Sequence, residues 1–266
     1  MEGQPGILYV VATPIGNIED ITARAVRILT EVPVIACEDT RHTGMLLKRL
    51  GIDRTDRRMI AYHERNERRL APVLVSGLLR GEDCALVSNA GTPLISDPGY
   101  RVVTLAREAA ITVVPVPGPC AAISALSASG LPTDRFTFLG FLPPTTARRT
   151  RSFRQLSEDL GSCVFYIPAR NILQALDELA AVHPDARVVI AREMTKVFEE
   201  FTTGTPGYMR LKLAGRTLKG EATLIVNLAK VAAPSATVED SGCVEPPAGR
   251  RPRKERPAPT RAGRRS

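Results

Sequence analysis

The chain has 266 residues, 44% of them hydrophobic, and a formal net charge of +8. It is long enough to bury one large core or two modest ones, and no apolar run approaches the about 18 residues that a membrane span needs. Five cysteines, Cys37, Cys84, Cys120, Cys163 and Cys243, form no CxxC pair; they read as reduced packing residues, which excludes a disulfide framework or a zinc finger.

The elements follow in chain order. Residues 7–12 are an apolar run of strand type, and 19–29 carry apolar residues at helical spacing. A second strand at 32–37 leads into a helix at 40–50. A weaker strand at 58–62 leads into a helix at 66–79 that Pro72 disturbs. Strand 84–88, helix 98–110 and strand 112–116 complete an alternation that predicts a parallel sheet. Pro117-Gly-Pro119 then breaks the chain, and a small-residue helix at 120–129 opens a second unit. Its strands, at 135–139, 163–167, 187–192 and 222–228, alternate with helices at 146–160, 171–182 and 205–214. A strand-like 198–203 adds an antiparallel hairpin, so this sheet is expected to be mixed.

The expected architecture is therefore α/β, with an N-terminal domain over 1–117 on the substrate side and a C-terminal domain over 118–232. Residues 233–266 form a basic Pro/Arg-rich tail, expected to be disordered because it has too few large apolar residues to offset chain entropy. From Ala232 onward eight Lys or Arg face four Asp or Glu, so the positive charge divides evenly between tail and body. Such a distribution suits a polyanionic partner such as RNA. The first residues, Met1-Glu-Gly-Gln-Pro-Gly, have neither the basic segment nor the apolar core of a signal peptide, which fits a cytoplasmic protein.

Several chemistries are missing. There is no GxGxxG after the first strand, no GxxxxGK[ST] and no HExxH, and the three histidines are too scattered for a metal cluster. What stands out is the strand-to-loop passage Val87-Ser-Asn-Ala-Gly-Thr-Pro-Leu-Ile-Ser-Asp-Pro-Gly-Tyr100. In an open α/β sheet ligands sit beyond the carboxyl ends of strands, and Gly91 lets main-chain groups approach closely. Thr13-Pro-Ile-Gly-Asn17 and Pro117-Gly-Pro-Cys120 are loops of the same kind, and the second opens a helix whose free N–H groups could receive a carboxylate. None has the lysine or dense glycine run of a triphosphate site. A ligand with an adenine, a ribose and an amino-acid end fits better.

Two charged clusters also end strands. Ala36-Cys-Glu-Asp-Thr-Arg-His-Thr43 places Glu38, Asp39, Arg41 and His42 at a strand-to-helix junction. Helix capping accounts for one or two of them, not all four. Ala191-Arg-Glu-Met-Thr-Lys196 holds opposed charges that a surface salt bridge explains equally well. Arginines gather around Tyr62 and His63 (Arg54, Arg57, Arg58, Arg65, Arg68 and Arg69) and around Phe153 (Arg148, Arg149, Arg151 and Arg154). Guanidinium groups near rings suit phosphates and unpaired bases; the plain alternative is a solvated helix face.

These loops and clusters, with Leu8-Tyr-Val-Val-Ala-Thr-Pro-Ile-Gly-Asn-Ile-Glu-Asp-Ile-Thr22 and Lys219-Gly-Glu221, together resemble the tetrapyrrole methylase superfamily, and within it the branch acting on small-subunit ribosomal RNA. The resemblance runs from residue 7 to about 230. It implies two α/β domains with a cofactor cleft between them, S-adenosylmethionine as cofactor, and a homodimer. It also implies methyl transfer to the ribose 2′-hydroxyl of a cytidine in the decoding region of 16S rRNA. By motif, the cofactor contacts would be Pro14, Ala90, Gly91, Thr92, Ile95, Cys120 and Ala121, completed by Ile167 and Met194. Glu38, Asp39, His42 and Glu193 are the candidate bases, Arg41 would hold a phosphate, and Lys196 is a further base only if burial lowers its pKa. Asn89 departs from the pattern, standing where this loop commonly carries Asp, and Phe165-Tyr-Ile-Pro-Ala-Arg170 lacks an acid and a histidine. A tetrapyrrole C-methylase and a non-catalytic RNA-binding assembly factor remain as alternatives.

Overall fold

Short strands that are apolar on both faces need helices on both faces, and the first half of the chain supplies them. The computed structural model describes residues 4–53, 55 and 57–229. The expected tail at 233–266, Cys243, and Arg54 of the first basic segment lie outside them.

Five parallel strands, β1 (Leu8–Val11), β2 (Val34–Cys37), β3 (Arg58–Ala61), β4 (Cys84–Val87) and β5 (Val113–Val116), form a sheet in the order β3-β2-β4-β1-β5. The inner strands β2 and β4 are buried at every position. Their alternate side chains divide between two cores. Ala36, Cys84 and Leu86 pack under α3 (Glu67–Leu79) and α4 (Tyr100–Glu108). Ile35, Cys37, Ala85 and Val87 pack under α1 (Ala23–Glu31) and α2 (Thr40–Arg49).

The second sheet is mixed, as the hairpin pattern requires. β6 (Phe136–Phe141) runs parallel to β7 (Ser162–Pro168); β10 (Glu221–Asn227), β8 (Arg187–Arg192) and β9 (Glu200–Gly204) then follow in antiparallel pairings. One face carries Phe165, Ile167, Val188, Ile190 and Leu224 into a core under α6 (Thr146–Arg154), α7 (Ile172–Val182) and α8 (Pro206–Lys212). The other carries Val164, Val189, Ala191 and Ile225 against α5 (Ala121–Ser127), the helix that leaves the first sheet after β5.

Two boundaries and one expected interruption differ from the periodic pattern. Thr22 accepts a hydrogen bond from the Ala25 N–H and so starts α1 at Ala23, with Ile18–Asp20 as a separate 3-10 turn capped by Asn17. α3 runs through Pro72, whose ring faces solvent; only one helical hydrogen bond is forfeited. α6 stops at Arg154, and a 3-10 turn at Glu158–Leu160 takes the rest of the expected helix. No helix among the described residues is long and apolar enough to cross a membrane.

Candidate active site

The loops that leave β1, β4 and β5 are tied into one rim. Thr13 and Gly91 form an isolated antiparallel bridge between the first two loops. The Thr13 hydroxyl donates to the Ser88 carbonyl at 3.2 Å, and the Thr92 hydroxyl donates to the Pro119 carbonyl at 3.0 Å. The loop after β8 joins them, because the Asn17 N–H donates to the Thr195 hydroxyl at 3.0 Å.

Between this rim and the second sheet lies a cavity of about 150 Å³ that opens to solvent. The β1 and β4 loops give it Ile15, Ala90, Gly91, Thr92, Ile95 and Asp97, and Ala121 enters from α5. The second sheet contributes Phe141, Tyr166 and Glu221, and the loop after β8 contributes Glu193, Met194 and Lys196. One device recurs on two of these loops. Leu94 (φ 71°) and Ser96 (φ 66°) flank Ile95, and Glu193 (φ 51°) and Thr195 (φ 65°) flank Met194. Left-handed backbone at non-glycine residues costs on the order of 1 kcal/mol each, and strain of this kind collects at functional sites. In each loop it presents the middle residue to the cavity.

Of the residues singled out from sequence, Ala90, Gly91, Thr92, Ile95, Ala121, Glu193 and Met194 share this cavity. Pro14 and Cys120 stand one residue outside its lining, beside Ile15 and Ala121. Ile167 does not reach it with its side chain: strand alternation turns Ile167 into the core under α7, and Tyr166 takes the wall position instead. The expected anion site at the helix after Pro119 is also altered, since the Ala122 N–H already donates to the Tyr166 hydroxyl at 3.2 Å.

The cluster after β2 divides. Asp39 caps α2, accepting from the Arg41 N–H at 2.7 Å and the His42 N–H at 3.3 Å, and these bonds hold its carboxyl below the usual carboxylate range. That makes it a poor base. Arg41 and His42 are exposed on the first turn of α2. Glu38 is half-buried, and its carboxylate accepts from the Asn89 amide at 2.9 Å, which brings it to the β4 loop. Glu193 pairs with Lys196 at 3.1 Å, and its carboxylate packs against Gly220.

Three polar cavity residues, Asp97, Tyr166 and Glu221, were not among the candidate site residues read from the sequence. Asp97 lies within the long loop, one of its polar residues in the sequence reading, but no role was attached to it. Burial, the nearby Glu38 carboxylate and Glu221 push its carboxyl up to about 6. Tyr166 stacks edge-on against Phe138 and Phe141, with centroids 5.0 and 5.4 Å away, and burial pushes its phenol well up. Glu221 follows Gly220 at the start of β10. Strand alternation around Phe165 and Ile167 was the available signal for Tyr166, and Glu221 lay in the Lys219-Gly-Glu221 segment of the family resemblance without a role attached.

The basic segments require correction. Tyr62 and Phe153 are 1% and 0% exposed, so neither ring is available to stack on a base. Arg149 is buried and grips Glu178 through two bonds of 2.8 and 2.7 Å. Arg58 pairs with Glu82, and Arg57 donates to the Thr30 carbonyl. Arg65, Arg68, Arg69, Arg148, Arg151 and Arg154 remain exposed.

A parallel five-stranded sheet and a mixed one, with strand-end loops meeting at a cavity, define an α/β methylase architecture. The chain belongs to the tetrapyrrole methylase family: the family model described as Tetrapyrrole (Corrin/Porphyrin) Methylases matches residues 7–208. It is similar to Ribosomal RNA small subunit methyltransferase I of Escherichia coli O157:H7, 46% identical over 228 residues that make up 85% of this chain and 79% of that protein. The protein of the same name from Haemophilus influenzae is 48% identical over 225 residues, 83% of this chain and 78% of that one. Among solved structures, uroporphyrin-III-C-methyltransferase from Thermus thermophilus superposes with a TM-score of 0.57 at 23% identity, covering 84% of this chain and 94% of that one. Diphthine synthase gives 0.60 at 13% identity, covering 84% and 90%. At these identities the two structures show the fold alone.

Proposed function

We propose that this chain transfers a methyl group from S-adenosylmethionine to the ribose 2′-hydroxyl of a cytidine in the decoding region of 16S rRNA. The observation that carries the reading is the cavity itself, formed by the family's strand-end loops in a chain 46% identical to an rRNA methyltransferase. Its chemistry fits the donor. Apolar walls from Ile15, Ile95, Ala121 and Met194 suit a flat adenine, and the carboxylates of Asp97, Glu193 and Glu221 favour a cation over a polyphosphate. Gly91, Thr92, Ile95, Ala121 and Met194 would hold the cofactor, with Pro14, Cys120 and Ile167 as supports through their neighbours. When bound, S-adenosylmethionine supplies a methyl group on a positively charged sulfur.

The chain's own contribution is positioning and proton acceptance. A ribose hydroxyl is a weak nucleophile, and a half-buried carboxylate at the rim can take its proton. Glu38, oriented by Asn89, has that place in preference to the capping Asp39. Exposed Arg41 and His42 face the RNA side, where Arg41 holds a phosphate. Arg65, Arg68, Arg69, Arg148, Arg151 and Arg154 extend the phosphate-binding surface. The same reading divides the chain into a substrate-side domain at 1–117 and a second domain at 118–232, and makes the protein a cytoplasmic homodimer acting on the small ribosomal subunit.

Incubation of the purified chain with methyl-labelled S-adenosylmethionine and either small-subunit rRNA or uroporphyrinogen, followed by mass spectrometry of the nucleosides and of the tetrapyrrole, tests this. Labelled 2′-O-methylcytidine is expected. Label entering uroporphyrinogen instead, or no nucleoside at all, overturns it.

A further inference from the structure

We infer that Asp97 is the residue by which the cavity distinguishes a positively charged methyl donor from its neutral demethylated product. The inference rests on the methyltransferase reading of the cavity and names how that site selects its ligand.

Asp97 stands in the cavity wall, half-buried, and no lysine or arginine forms an ion pair with it among the described residues. The nearby cation, Lys196, is engaged by Glu193 at 3.1 Å. The other charges around Asp97 are carboxylates: Glu38, held by the Asn89 amide at the end of β2, and Glu221 at the start of β10. The Ser88 hydroxyl offers it partial compensation, and Tyr166, whose phenol stays neutral, faces it from β7. A half-buried carboxylate beside like charges, with the Lys196 cation of the cavity wall already engaged, is held at a cost until a second cation arrives.

The loop keeps the group in place. Ser96 and Gly99 (φ 66° and 141°) bracket Asp97 and Pro98, and a Cβ at Gly99 would meet Leu86 and Leu94 at 2.8 Å. The backbone therefore has little freedom to swing the carboxylate out to solvent. A sulfonium entering the cavity relieves the repulsion; a thioether does not. S-adenosylmethionine and S-adenosylhomocysteine share every other ionisable group, so the ratio of their affinities isolates this effect. Because the Asp97 carboxyl titrates at about 6, the preference for the sulfonium is present above that pH and is lost below it.

Titration calorimetry of the full chain with S-adenosylmethionine and with S-adenosylhomocysteine from pH 5 to pH 8 tests this. The affinity ratio is expected to fall by about tenfold between pH 8 and pH 5, in proportion to the ionised fraction of one carboxyl. In Asp97→Asn the ratio is expected to be low and flat. Asn89→Asp, which adds a carboxylate near Glu38, is expected to move the midpoint upward, and it supplies a second reading should Asp97→Asn not fold. A wild-type ratio that does not change with pH, or an Asp97→Asn variant that keeps the wild-type profile, overturns the inference while leaving the methyltransferase reading intact. If neither compound binds the wild-type chain, both fall together.

Discussion

Thr13 and Gly91 exchange both of their backbone hydrogen bonds, at 2.9 and 3.0 Å, although the loops that carry them follow different strands. Gly91 does this at a φ of 82°. A Cβ there would find Ile15 at 3.4 Å and the Pro119 carbonyl at 3.7 Å, so the space is adequate and the backbone conformation is what demands glycine. Gly91→Ala is therefore expected to lower unfolding stability by about 1 kcal/mol through left-handed strain. It should also weaken S-adenosylmethionine binding. Denaturant unfolding and calorimetry check both; unchanged values in the two measurements would mean the bridge is not under conformational constraint.

Arg149 and its neighbours separate a structural arginine from surface ones. Its side chain and that of Glu178 are 3% and 9% exposed, and removing one partner of a buried pair costs about 3–5 kcal/mol. Arg149→Ala should thus unfold at markedly lower denaturant. Arg148→Ala with Arg151→Ala should leave stability within about 0.5 kcal/mol. The same pair should reduce the salt slope of RNA binding by about 0.7 for each phosphate no longer neutralised. A stable Arg149→Ala protein would contradict the burial argument.

The pH dependence of stability at Asp97 has a definite sign. Its carboxyl titrates at about 6 in the folded chain and near 4 when unfolded, so ionisation destabilises the fold as pH rises through this window. Asp97→Asn removes that penalty. Its gain over wild type is expected to be absent at pH 4, to grow to pH 7 and then to level off, at about 1 kcal/mol after allowing for solvent screening. Thermal melts across this range decide it, and an advantage that is constant with pH would point to another cause.

Glu200 shows the opposite sign. Arg216 and Arg192 hold its carboxyl at about 2. The stabilisation is complete above the unfolded value near 4.3 and disappears as pH falls toward 2. Glu200→Gln should cost about 1 kcal/mol at pH 7, given that the group is partly exposed, and clearly less at pH 2. Denaturation at the two pH values tests this; equal destabilisation at both would mean that packing, not charge, holds β9.

Much of the fold was legible because it is written locally. Ile35, Cys37, Ala85 and Val87 sit in uninterrupted apolar runs that only a doubly covered parallel strand explains, and the alternation of those runs with helices fixes the sheet type. The three Gly- and Pro-rich loops were readable as fixed, irregular strand-end turns for the same reason: the backbone shapes they need are encoded within a few residues. The helix start at Ala23 departs from the periodic pattern because a cap at Thr22 outweighs the apolar spacing before it.

The amino-acid sequence alone thus determined the α/β alternation, the strand-end loops and the family to which they belong. Tertiary structure alone decided that Tyr166 rather than Ile167 enters the cavity wall, that Arg149 is buried against Glu178, and that Asp97 feels the charges of Glu38 and Glu221. The reason is physical. Backbone preference and hydrophobic period act over a few neighbouring positions, whereas burial and charge act through space among residues that the chain brings together from distant segments.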